Sequence, residues 1–247
     1  MIELDHFTFE PLAEHLHLCV TPSHKFGTDA FLLSDFAAPR RKDTVCDLGS
    51  GCGIVPALWF RNPEDAPKQV YAVEVQELAV AQMERSLQEG GLPAGRFFPI
   101  LADLRQLKGR LPDGAFDLVT CNPPYKAAGG GILSGSGADR IARHETLCSF
   151  GDVCDAANHL LKFGGRLCVC QRPERLADLI DEMRRRGIEP KRLRFVHQRP
   201  DTPPWLLLLE GRKGGKPFLR VDPPLLIEGE GGFSQEVLRI YQKERNL

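Results

Sequence analysis

The chain of 247 residues contains no run of about 18 uninterrupted apolar residues, so no segment reads as a membrane-spanning helix. Its first residues, among them Met1, Glu3, Asp5, His6 and Glu10, lack the positive-then-apolar pattern of a secretory signal, and a cytoplasmic protein is expected. There is no Cys-x-x-Cys pair. The eight cysteines, Cys19, Cys46, Cys52, Cys121, Cys148, Cys154, Cys168 and Cys170, are scattered through apolar stretches, which points to reduced, buried thiols and not to disulfides or zinc. His15 and His17 have no third ligand nearby, so no metal site is expected. The chain also lacks net charge, at −1, so its total demands no nucleic-acid partner. The distribution is uneven, however: residues 162–220 hold 15 Lys and Arg against 7 Asp and Glu. Such a stretch suits a phosphate-facing surface, or a merely solvated helix face at Arg184, Arg185 and Arg186. No internal repeat or long low-complexity tract is present.

With 42% hydrophobic residues the chain can bury one sizeable core, and one domain over 1–247 is expected: an extension over 1–40, a core over 41–210 and a C-terminal extension over 211–247. Short apolar runs alternate with helical patterns, the mark of a parallel sheet covered by helices on both faces. Strands are expected near 45–48, 70–75, 97–101, 116–121, 166–170, 193–197 and 205–209. Helices are expected over 29–38, 54–61, 78–90, 150–162, 175–186 and 235–242. Gly90-Gly91, Gly164-Gly165 and Gly187 look like stops just past three helix ends. The run 205–209 follows its predecessor too closely for a crossover helix, so it should pair antiparallel. The expected fold is α/β, Rossmann-like and doubly wound, with a mostly parallel seven-stranded sheet and an antiparallel last strand.

Asp47-Leu48-Gly49-Ser50-Gly51-Cys52-Gly53 lies between the first core strand and a helix, where the backbone must turn tightly and approach a nucleotide-like ligand. Such a loop alone is weak, since sharp turns and dinucleotide enzymes also use one. Three acids at successive strand ends strengthen it. Glu74 can accept from two ribose hydroxyls, Asp103 from an adenine amino group, and Asp47 supplies a carboxylate suited to a cationic ligand, where a dinucleotide would need a pyrophosphate site. Each acid alone could equally be a helix N-cap. Jointly they favour a nucleoside.

The fourth core strand runs into Asn122-Pro123-Pro124-Tyr125. Two prolines fix φ and donate no N–H, so nearby carbonyls become rigid acceptors, and Asn122 adds a side-chain acceptor. Hydrogen bonds accepted from both N–H groups of a planar amino group favour a pyramidal nitrogen, while an aromatic ring stacks on the planar system. Catalysis then rests on positioning, with no strong base.

The glycine loop and its acids resemble the cofactor motifs of class I S-adenosylmethionine-dependent methyltransferases. That resemblance implies that Asp47, Gly49, Gly51 and Gly53 shape the methionine side, that Glu74 holds the ribose and Asp103 reads the adenine, and that Val75 and Leu104 also contact the cofactor. Asn-Pro-Pro-Tyr resembles the motif of enzymes that methylate adenine N6, cytosine N4 or protein glutamine. Lys25-Phe26-Gly27-Thr28-Asp29, Arg140-Ile141-Ala142-Arg143-His144 and the segments after residue 211 extend the likeness to the bacterial tRNA1(Val) (adenine(37)-N6)-methyltransferases. It implies catalytic roles for Asn122, Pro123, Pro124 and Tyr125. It also implies cofactor contacts from Lys25, Phe26, Asp29 and Asn122, and substrate contacts from Tyr125, Lys126, Arg140, Arg143 and His144. Lys126 stands where that family commonly has an aromatic, and its cation suits a phosphate. The expected substrate is the anticodon loop of a tRNA, with no membrane and no obligate protein partner. The rivals are a protein glutamine N5-methyltransferase, for whose substrate domain the N-terminal segment leaves little room, a non-catalytic RNA-binding protein, and, more distantly, a dehydrogenase.

Overall fold

A computed structural model describes residues 6–22, 26–123 and 148–242. The described chain opens with a hairpin, β1 (Thr8–Ala13) and β2 (Leu16–Val20), paired antiparallel. Then come α1 (Thr28–Ala37), β3 (Thr44–Leu48), α2 (Ile54–Leu58), β4 (Gln69–Glu74), α3 (Glu77–Glu89), β5 (Phe97–Leu101) and β6 (Phe116–Cys121). After residue 147 follow α4 (Phe150–Leu160), β7 (Leu161–Gln171), α5 (Leu176–Arg185), β8 (Ile188–His197) and β9 (Pro204–Lys213). The last elements are the short strands β10 (Arg220–Val221), β11 (Leu225–Leu226), β12 (Glu228–Gly229) and β13 (Gly232–Phe233), and α6 (Gln235–Tyr241).

The main sheet has the order β10-β8-β9-β7-β6-β3-β4-β5, with β11 also pairing β8. β3 pairs in parallel with both β4 and β6, so the chain reverses its direction of winding between β3 and β6. A crevice opens outside the carboxyl ends of the strands at such a point. β9 runs antiparallel to both β7 and β8, as expected from the short connection before it. Side chains alternate between two apolar clusters, as period-two geometry requires. Val45, Ala72, Leu118 and Cys168 face α1 to α3, while Cys46, Val73, Val119 and Leu167 face α4 and α5.

Among the described residues the sheet has nine strands where seven were expected. The additional two are β10 and β11, pairs of residues whose register with β8 no local apolar pattern announces. The hairpin β1–β2 was likewise absent from the expectation; β2 is buried against α3, where the Cys19 N–H donates to Ser86 Oγ at 2.9 Å. Gly164-Gly165 is not a helix stop. Helix α4 ends at Leu160, β7 begins at the next residue, and the glycines sit in an irregularity where Phe116 pairs Leu161 but Leu118 pairs Arg166. Gly187, at φ 70, does follow the end of α5.

The terminal segments converge on α1. Tyr241 stacks on Phe31 with centroids 4.3 Å apart, and its hydroxyl bonds Thr28 Oγ1 at 3.0 Å. Arg194 holds Glu236 of α6 through two bonds of 2.7 and 2.8 Å, which keeps that carboxyl below its usual range. All eight cysteines are free and seven are buried. Burial pushes Cys52, Cys154 and Cys168 up to about 12, so they pack as neutral thiols. Among the described residues no helix is long and apolar enough to cross a membrane, and no group of His, Cys, Asp or Glu could hold a metal.

Candidate active site

The loop after β3 turns through Gly49, Gly51 and Gly53 at φ 67, 57 and 83, a region where an L side chain is strained. The three glycines do different work. A Cβ on Gly49 or Gly51 would meet nothing within 4 Å, so bare backbone faces open space there. A Cβ on Gly53 would lie 2.9 Å from Met83 Cγ and 3.1 Å from Phe97 Cζ, so this glycine lets α2 pack against α3 and β5.

Asp47 lies beneath the loop and is buried. Its Oδ2 accepts from Ser50 Oγ at 2.6 Å and its Oδ1 from Thr120 Oγ1 at 2.5 Å. Burial nevertheless pushes its carboxyl up to about 6, against the lowering by the two hydroxyls, with nearby Glu74 raising it further. Asp47 thus ties the glycine loop to β6. Ser50 and Thr120 were not anticipated, although the Asp-x-x-Ser spacing across a tight turn was a readable signal.

Glu74, also buried, accepts from the backbone N–H groups of Gly51 (2.9 Å), Val75 (2.8 Å) and Gln76 (2.9 Å). A carboxylate offers about four acceptor directions. Two ribose hydroxyls would thus share that capacity with the Gly51 N–H, which couples Glu74 to the glycine loop. Asp103 caps the short 3-10 turn at Leu104–Gln106 and is gripped by Arg105, whose Nε lies 3.0 Å from Oδ1 and whose Nη2 lies 2.5 Å from Oδ2. The guanidinium holds the Asp103 carboxyl below its ordinary value. An adenine amino group placed there would share the Asp103 carboxylate with Arg105.

Gly49, Glu74 and Asp103 line one crevice of about 180 Å³, together with Val73, Val75, Ala102, Leu104, Arg105 and Cys148. Apolar walls, two carboxylates and a bare backbone edge fit a nucleoside with a cationic tail. Arg105 and Cys148 were not foreseen. The Cys148 thiol is pushed up to about 11 by burial and stays neutral.

Asn122 follows the last residue of β6, neighbouring Leu48 in the register, so it stands at the same carboxyl edge. Its Nδ2 donates to Asp29 Oδ2 of α1 at 3.0 Å, and its Oδ1 accepts from Cys170 Sγ of β7 at 3.0 Å. The amide is thereby clamped between two elements. Cys170 as a partner carries no sequence signal, because it reads as one more core cysteine. Pro123 is buried, and Phe26 is half-buried against Phe31 at 5.9 Å. Lys25, Pro124, Tyr125, Lys126, Arg140, Arg143 and His144 lie outside the described residues.

A doubly wound sheet with its glycine loop, strand-end acids and β6 asparagine at one edge defines a class I methyltransferase. The chain belongs to the methyltransferase small domain family, whose model matches residues 25–183. It is 29% identical to a tRNA1(Val) (adenine(37)-N6)-methyltransferase from Histophilus somni over 68% of this chain and 67% of the relative. Among solved structures it is similar to a predicted O-methyltransferase from Agrobacterium tumefaciens. There the TM-score is 0.69 and the identity 25%, covering 89% of this chain and 100% of the other. It also shares its fold with M. jannaschii TYW2, solved in complex with AdoMet. The TM-score is 0.57 and the identity 15%, over 86% and 88% of the two chains.

Proposed function

We propose that this chain transfers the methyl group of S-adenosylmethionine to the N6 amino group of an unpaired adenine in the anticodon loop of a tRNA. The observation that carries the reading is the clamped Asn122 amide, fixed by Asp29 and Cys170 at the same sheet edge as a crevice suited to a nucleoside. When bound, S-adenosylmethionine supplies a methyl on a cationic sulfur.

The chain's own residues then bind and orient. Glu74 takes the ribose hydroxyls, Asp103 and the apolar walls at Val75 and Leu104 take the adenine, and Gly49 and Gly51 let the backbone approach the methionine portion. Ionised Asp47 favours the cationic tail through the loop it anchors. Asn122 Oδ1 accepts one N–H of the target amino group, while carbonyls at the two prolines take the other and Tyr125 stacks on the base. With both N–H groups accepted, the nitrogen lone pair is aimed at the methyl in line, and positioning supplies most of the rate. A base that is already unpaired needs little energy to turn into the pocket. Lys25, Phe26, Lys126, Arg140, Arg143 and His144 complete the cofactor and RNA sides of the site. All of this sits on one domain spanning the chain.

The name of the Histophilus relative supports the substrate class. The test is methyl transfer from labelled S-adenosylmethionine to total bacterial tRNA, with total protein as the parallel acceptor, followed by nucleoside and amino-acid analysis. Label in N6-methyladenosine from tRNA is expected. Label only in protein glutamine would overturn the reading in favour of an amide substrate.

A further inference from the structure

Two groups of cations stand out within the basic stretch seen in the sequence. Arg184 and Arg185 of α5, and Arg186 just past its end, are paired with Glu189, Asp181 and Asp155, and serve as an ion-paired outer face. Five others, Arg166, Lys191, Arg192, Arg212 and Arg220, gather elsewhere. A cavity of about 550 Å³ at the far end of α1 is lined by Arg40, Arg166, Lys191, Arg192, Arg212 and Arg220, with Glu210 as its one acid and Phe218 on its rim.

The cavity is built, not incidental. Arg166 donates to the Ala37 carbonyl at 2.9 Å and Arg192 to the Phe36 carbonyl at 2.6 Å, so the last turn of α1 fixes both guanidinium groups. Both also reach Glu210 Oε2, at 3.3 and 3.1 Å, with Asp43 and Asp222 each 3.8 Å away on the flanks. Arg220 pairs with Asp222 at 2.8 Å. These charges roughly cancel. Arg40, Arg212 and Lys191 have no carboxylate partner among the described residues, and they leave the cavity a surplus of positive charge. Beside them Phe218 is 80% exposed, and its backbone is held at φ 131, where a bulky side chain is strained. An exposed aromatic ring on the same cavity as cations without carboxylate partners, Lys191 among them with its Nζ on the Lys216 carbonyl at 3.0 Å, offers single-stranded nucleic acid a face for a base and charges for its phosphates.

We propose that this cavity is a second RNA-binding site, holding backbone phosphates on Arg40, Lys191 and Arg212 and a stacked base on Phe218. It rests on the RNA-methylating reading and deepens it. Helix α1 connects the two places, with Asp29 at the Asn122 amide and Ala37 at the cavity, eight residues or roughly 12 Å apart along the axis. Substrate RNA that engages both places would therefore span at least this distance, across elements that cover α1.

The experiment measures filter binding of labelled tRNA against salt, and separately steady-state methylation, for the wild type, Phe218→Ala and the double variant Arg40→Ala/Arg212→Ala. These side chains are exposed, so the fold should be retained, and the cofactor affinity checks this. Phe218→Ala is expected to weaken tRNA binding roughly tenfold. The double variant should reduce the slope of log affinity against log salt by about 1.4, with KM for tRNA raised and kcat at saturating tRNA kept. Wild-type affinity and slope in both variants would overturn the inference, even with tRNA methylated normally. A wild type that binds tRNA without methylating it would sink the substrate reading alone, and loss of binding in the variants would still support the cavity. Thermal stabilisation by inorganic phosphate that the double variant loses, with tRNA affinity unchanged, would assign the cavity to a free anion and overturn its RNA role.

Discussion

Replacing Asn122 by alanine removes an amide that holds the Asp29 carboxylate and the Cys170 thiol and, by our reading, the target amino group. The first two bonds belong to the fold. Losing them should cost about 1 to 2 kcal/mol, since one ordinary hydrogen bond contributes about 1 kcal/mol net. For a chain of this size that is a fall of roughly 3 to 8 °C in Tm, which leaves the protein folded at assay temperature. The third contact matters in the transition state. A preorganised polar group aimed at the reacting centre contributes about 2.7 to 4 kcal/mol, so kcat should fall by about two to three orders of magnitude. Cofactor affinity should change by less than about threefold, because the crevice at Gly49, Glu74 and Asp103 keeps its shape. The assay pairs single-turnover methylation of tRNA with calorimetric titration of S-adenosylmethionine. A variant that turns over within a factor of about five of the wild type would refute the mechanism. Loss of cofactor binding in parallel with turnover would instead make Asn122 a structural part of the crevice.

Two further expectations concern the loop. Asp47 titrates near 6 in the fold instead of 3.8, so the native state binds the proton more tightly than the unfolded chain does. Its stabilising contribution is full below about pH 4 and is lost as pH rises through about 6, roughly 3 kcal/mol in all. The cofactor-free wild type should therefore lose Tm over that window relative to Asp47→Asn, and parallel profiles would disprove the assignment. Gly53→Ala forces a Cβ against Met83 and Phe97 and should cost about 2 to 4 kcal/mol, measured by urea unfolding. Gly49→Ala meets no atom; backbone strain alone costs about 1 to 2 kcal/mol, and the main loss should appear in cofactor affinity. Equal destabilisation by the two substitutions would contradict the division of roles among the glycines.

Much of the framework was legible in the chain because local chemistry determines it. The β-branched runs, the spacing of helical apolar positions and the short link before β9 are enough to specify a doubly wound sheet with an antiparallel last pair. The glycine loop, the acids at strand ends and the asparagine after β6 follow from it, since parallel strands carry their C-terminal residues to one edge. Partnerships between distant residues were not legible. No sequence rule pairs Thr120 with Asp47 across 73 positions, Cys170 with Asn122 across 48, or Asp29 with Asn122 across 93. Nor could composition separate the ion-paired arginines of α5 from those that gather at the end of α1, because both occur in one basic stretch. Residue type and spacing determine which groups reach an edge, whereas only packing decides which of them meet, how deeply they are buried and which charges remain unpaired.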